Sequence, residues 1–131
     1  MGVVLAFPIA SQRHVPNDRE RVVTSAVIRA ADWLGIDDSA LAEILTLTRR
    51  TMQHLRVGGL HLTENSNGFN RAVNLVAVFS SLHIKFAADR EIARSWMRNS
   101  NTALHHAPIA LMQKPGGLEA VRAYVERASI P

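Results

Sequence analysis

Apolar residues in this chain recur three and four positions apart from Val23 to Val125, and no alternating strand pattern survives beyond the first residues. That periodicity predicts an all-α fold. The punctuation between helices is equally legible. Asn17 can cap a helix whose first turn carries Asp18 and Glu20, where acidic groups meet the positive end of the helix dipole. Val23, Val27, Ala30, Ala31 and Leu34 give that helix its inward stripe, and Gly35 stops it. Asp37 or Asp38 caps a second helix, Ser39 to Leu45, and Thr48 a third, Arg49 to Arg56, closed by Gly58-Gly59. After a loop, Leu60 to Gly68, a long helix runs through Phe69, Val73, Val76, Phe79 and Leu82. It is apolar nearly all round, which predicts a place at the centre of the fold. Asp89 caps the next helix, with Ile92, Ala93 and Trp96 expected to face inward.

A chain of 131 residues is long enough to fold unaided as one domain, or as two small ones sharing a core. It has no cysteine, which excludes a disulfide framework, a thiolate zinc site and a cysteine nucleophile, and fits the cytoplasm. The formal net charge is +4, with arginine far outnumbering lysine. Arginine pairs bidentately with phosphate and carboxylate, so an acidic partner and a merely solvated basic surface fit that charge equally well. Aromatic residues make up 5% of the chain, too few for a base-stacking platform. No apolar run is long enough to span a membrane. The apolar stretch Val3 to Ala10 is short and no basic residue precedes it, so it reads as an arm or an edge strand rather than a secretion signal.

Residues 41–55 carry the most specific local pattern. Ala42 is small where two helices must cross closely, and Leu41, Leu45, Met52 and Leu55 are apolar at the inward offsets of a helix-turn-helix. The outward face of the second helix then carries Arg49, Arg50, Gln53, His54 and Arg56, with no acidic residue between Glu43 and Glu64. Arginine can read guanine edges, Gln53 can read adenine, and Thr48 and Thr51 can reach phosphate. These seven residues are the expected DNA-binding set. The pattern resembles the helix-turn-helix of Xre-class repressors, with one departure. The turn position usually held by glycine is Thr46, which predicts a distorted turn.

The last third of the chain has its own order. A helix ends near Trp96, followed by a polar turn, Arg98-Asn99-Ser100-Asn101, and then Ala103-Leu104. A proline-started helix follows, Pro108-Ile109-Ala110-Leu111-Met112, then a break at Gly116-Gly117 and a final amphipathic helix bearing Leu118, Val121 and Val125. Trp96, Leu104, Leu111 and Val121 are the expected core of this module, and Asn101 or Ser100 the expected cap of its turn. The order resembles, nearly element for element, the toxin-binding domain of the Xre/MbcA/ParS antitoxins, over roughly residues 22–131. The resemblance implies that the chain end docks onto a RES-class toxin that consumes NAD and blocks its active-site cleft. Carried over by position, the toxin-binding residues are Arg122, Tyr124, Arg127, Ser129, Ile130 and Pro131.

No catalytic constellation accompanies these features, and no cofactor is expected. The six histidines are scattered without a metal-ligand spacing. His105 and His106 are adjacent, so on a helix they would point to different sides and could not share an ion. The expected organisation is an arm or linker over residues 1–17, a helix-turn-helix unit over 18–62, and a central helix with a C-terminal toxin-binding module over 63–131. The expected function is an antitoxin that neutralises a RES-type toxin and represses its own operon by binding operator DNA. The alternative is a helix-turn-helix transcriptional regulator whose C-terminal module serves dimerisation alone. A homodimer is expected under either reading, because so small a reading unit gains affinity from two half-sites.

Overall fold

A computed structural model describes residues 15–127 of the chain. Seven helices account for the regular structure among the described residues: α1 (Asp18–Leu34), α2 (Asp38–Leu45), α3 (Arg49–Arg56), α4 (Asn67–Lys85), α5 (Arg90–Arg98), α6 (Pro108–Met112) and α7 (Gly117–Arg127). The all-α reading holds.

The caps explain why the helices start and stop where they do. The Asn17 side chain accepts from the Glu20 amide at 2.8 Å and Glu20 accepts from the Asn17 amide at 3.0 Å, a reciprocal capping box. Gly35 ends α1 at φ 76°, a left-handed conformation that glycine adopts without a Cβ penalty. Asp37, Thr48, Ser66 and Asp89 cap α2, α3, α4 and α5 in the same manner, each accepting from an amide three residues on. Pro108 opens α6 at the position where its missing amide costs nothing.

The core is built on α4, which packs against α1 on one side and α7 on the other, and touches α2 and α5 as well. Its fully buried stripe is Phe69, Ala72, Leu75, Val78 and Leu82. Val73, Val76 and Phe79 are only half-buried, because the helix is covered on several sides and not all round. Phe79 meets Trp33 of α1 edge-on, with ring centroids 5.3 Å apart. Each aliphatic side chain withdrawn from water in this way contributes roughly 1.5–3 kcal/mol.

Glu20 stands in the first turn of α1 as its spacing predicts, and it does more than meet the helix dipole. It is 1% exposed, and its second carboxylate oxygen accepts from the Glu64 amide at 2.7 Å. With Thr24, whose hydroxyl accepts from the Leu62 amide at 2.9 Å, it stitches the loop before α4 onto α1. In α5, Ile92 does not face inward; it is 49% exposed, and the buried pair is Ala93 and Met97. The inward stripe is therefore turned by one residue from Trp96 to Met97. Arg94 fixes that rotation by donating to the carbonyls of Trp33 at 3.0 Å and Asp32 at 2.6 Å, at the C-terminal end of α1 where carbonyls lack partners within the helix.

Candidate functional site

The helix-turn-helix core assembles as its spacing predicts. Leu41, Ala42, Leu45, Met52 and Leu55 are buried, joined by Ile44. Thr46 supplies the turn without distorting it. It lies at φ 57°, ψ 46°, the left-handed region glycine favours, and the Leu47 amide reaches back to the Ala42 carbonyl at 2.8 Å. A β-branched residue is strained there. Two contacts hold it: its hydroxyl donates to the Leu45 carbonyl at 2.5 Å and accepts from the Asn67 side chain of α4 at 2.7 Å.

At α3 and its N-cap the structure divides the expected DNA-binding set in three. Arg49, Arg50, Gln53 and His54 are exposed along the outward side. Arg49 and Gln53 also border the cleft of about 370 Å³ between α2 and α3, beside Asp38, Ser39 and Glu43. Thr48 and Thr51 are used locally: the Thr48 hydroxyl accepts from the Thr51 amide at 3.1 Å and donates to the Thr51 hydroxyl at 2.9 Å. Arg56 is engaged within the fold. Its guanidinium forks onto the Asp32 carboxylate at 3.0 and 3.1 Å and reaches Asp38 at 2.5 Å, clasping α1, α2 and α3 together. Hydrogen bonds from Asp32 and then Asp38 hold its pKa well above arginine's ordinary value, against a smaller opposing effect of burial.

The C-terminal module is organised by Asn101. Its side chain accepts from the amides of Ala103 at 2.8 Å and Leu104 at 3.1 Å, and its main chain pairs with His106. His105 and His106 thus belong to a closed turn, with His105 at φ 63°, and not to a helix. Among the described residues no group of three metal-ligating side chains comes together. Trp96 and Tyr124 stack nearly parallel, at 12° with centroids 6.3 Å apart, both half-buried on the flank of a core made by Met97, Met112, Leu118, Val121 and Val125. Gly117 is where α7 crosses α6: a Cβ there would lie 1.7 Å from the Leu111 carbonyl oxygen.

Of the residues carried over for toxin binding, Arg122 is engaged within the fold, donating to Asn74 at 2.7 Å and Glu126 at 3.0 Å. Tyr124 is held by its stack on Trp96, and Arg127 is exposed at the end of α7, bonded to the Ala123 carbonyl of its own helix at 3.2 Å. Ser129, Ile130 and Pro131, like the segment Val3 to Ala10, lie outside the described residues.

A residue that sequence reasoning passed over joins the two regions. Arg71, on α4, is 12% exposed; it donates to the Ile44 carbonyl at the end of α2 and lies 3.7 Å from Glu119 of α7. Its place with Asn67, Asn70 and Asn74, at helical spacing, was the available signal: a polar side on a helix whose opposite side is apolar.

These features define a class, a helix-turn-helix unit and a C-terminal helical module built on one shared central helix. Family comparison then identifies the two parts. Residues 13–77 match the antitoxin Xre-like helix-turn-helix domain, and residues 75–129 match the antitoxin Xre/MbcA/ParS C-terminal toxin-binding domain. The chain belongs to the Xre-type antitoxins, the inhibitory half of a toxin–antitoxin pair. The two matched stretches overlap within α4. No curated protein matches the chain. Among the described residues no helix is long and apolar enough to cross a membrane.

Proposed function

We propose that this antitoxin neutralises a RES-type, NAD-degrading toxin by occupying the toxin's active-site cleft with its C-terminal end, and that it represses its own operon as a homodimer through α3. The observation that carries the reading is the union of the two matched domains on one helix, with α7 as the last element before the carried-over tail. Support for the RES class comes from the order of elements from Trp96 to Tyr124. Support for operator binding comes from the exposed Arg49, Arg50, Gln53 and His54 on a capped helix without a nearby acidic residue in its sequence.

The test is co-expression of the tagged chain with the untagged product of the neighbouring gene. Co-elution of that product, together with a fall in cellular NAD when it is expressed alone, is the expected result. Absence of co-elution while the chain still shifts its own promoter DNA would replace the proposal by the regulator reading. The tail is tested separately, by a chain ending at Arg127. A deletion beginning at Tyr124 would also remove Val125 from the core and Tyr124 from its stack, so its failure would say nothing about the cleft. Removing only residues 128–131 is expected to abolish protection from the toxin and leave DNA binding intact.

A further inference from the structure

One charged surface belongs to neither site described above. Arg29, on the outer face of α1, is exposed and forms no ion pair among the described residues. It borders two neighbouring clefts. The first, about 280 Å³, is walled by Arg21, Leu55, Arg56, Gly58 and His61, with no carboxylate in its lining. The second, about 290 Å³, adds Asp32, Trp33, Arg90 and Arg94. Its single carboxylate, Asp32, is already bonded to Arg56, and the Arg94 guanidinium is used by the α1 carbonyls. Arg29 and Arg90 are left as exposed cations beside it, Arg90 likewise forming no ion pair among the described residues.

We propose that Arg29 and Arg90 form a phosphate-contact patch for the duplex that α3 reads, so that the DNA-binding surface crosses from the helix-turn-helix unit into the toxin-binding stretch. The patch rests on the DNA reading proposed above. Its position argues for DNA rather than a protein partner. The first cleft is walled by the C-terminal end of α3 and the loop that follows it, so the cationic surface is continuous with the recognition helix. Phosphates line both sides of any groove a helix enters, and contacts to them set register without reading sequence. Arg21 and Arg56 of the first cleft are paired with Asp18, Asp32 and Asp38, so the free charge of the patch is carried by Arg29 and Arg90, and guanidinium matches phosphate bidentately.

The experiment is a salt titration of DNA affinity, with the duplex upstream of the chain's own gene and with an unrelated duplex, for the wild type, Arg29→Ala/Arg90→Ala and Arg49→Ala/Arg50→Ala. The Arg29→Ala/Arg90→Ala chain is expected to lose affinity for both duplexes by the same factor, at least about tenfold, with the slope of log affinity against log salt reduced by about two. Its thermal midpoint should match the wild type, since neither side chain has an ion-pair or hydrogen-bond partner among the described residues. Arg49→Ala/Arg50→Ala should lose more on its own duplex than on the unrelated one. If that variant is weakened while Arg29→Ala/Arg90→Ala keeps both affinity and slope, the patch is overturned and the DNA reading stands. If toxin capture falls instead, the patch serves the protein partner. If the wild type binds neither duplex, the DNA reading and the patch fall together.

Discussion

Thr46 carries the clearest single-residue strain among the described residues. It holds a left-handed backbone at the turn of the helix-turn-helix, where a β-branched side chain is unfavourable by about 1–3 kcal/mol. Its hydroxyl bond from Asn67 returns part of that. Thr46→Gly is therefore expected to stabilise the chain by about 1 kcal/mol, seen as a higher denaturant midpoint at unchanged slope. A fall in midpoint would mean that the Asn67 contact outweighs the strain. Arg56 makes the opposite point. The exposed pattern of α3 includes it among DNA-reading positions, because spacing along one helix says nothing about carboxylates arriving from two others. Asp32 and Asp38 hold it, and because they raise its pKa its contribution is fully present below arginine's unfolded value, fading only as pH rises into strong alkali. Arg56→Lys should lower stability by about 1 kcal/mol through loss of the fork, while leaving the salt slope of DNA binding unchanged. The burial of Glu20 and the exchange of Trp96 for Met97 were hidden for the same reason. Each depends on a partner more than twenty residues away.

At the level of elements, the caps were legible because each is local. Asn17, Thr48 and Asp89 stand immediately before the helices they start, and Gly35 immediately after the one it ends. The closed turn at Asn101 was legible as a cap, but the pairing of its main chain with His106 was not, which is why adjacent histidines read as helical. Among the helices, α6 and α7 are the most constrained. Gly117→Ala would drive a methyl into the Leu111 carbonyl, and neither backbone can yield without opening the module. The expected loss is about 3 kcal/mol or more, with toxin capture lost first, measured by unfolding and by pull-down in parallel. Unchanged stability would show that the two helices do not cross at Gly117. The exposed face of α3 gives a different kind of prediction, because it bears on binding and not on folding. Arg49→Ala/Arg50→Ala should leave the unfolding free energy within about 0.5 kcal/mol of the wild type, measured by denaturant titration.

Across the whole molecule, α4 contributes to both halves. Its Asn67 and Arg71 hold the end of α2 and its turn, while Asn74 holds α7 through Arg122. A core divided at the loop before α4 would melt in two steps. A core built around α4 is expected to unfold in one, with helical and aromatic signals changing at the same denaturant concentration. Separate midpoints would show that the two matched regions fold independently.

The same arrangement bears on where a chimaera of such antitoxins could be joined. A chimaera joined where the two family matches overlap, at residues 75–77, would splice α4 itself and set the upper half of one sequence's stripe against the lower half of another's. A junction in the loop before Asn67 keeps the helix whole but asks a foreign asparagine and arginine to grip the native turn. Grafting a new toxin specificity onto this helix-turn-helix unit would therefore succeed only when residues 67 and 71 travel as asparagine and arginine with the graft. Lineages that recombine in this way should carry that pair as their mark.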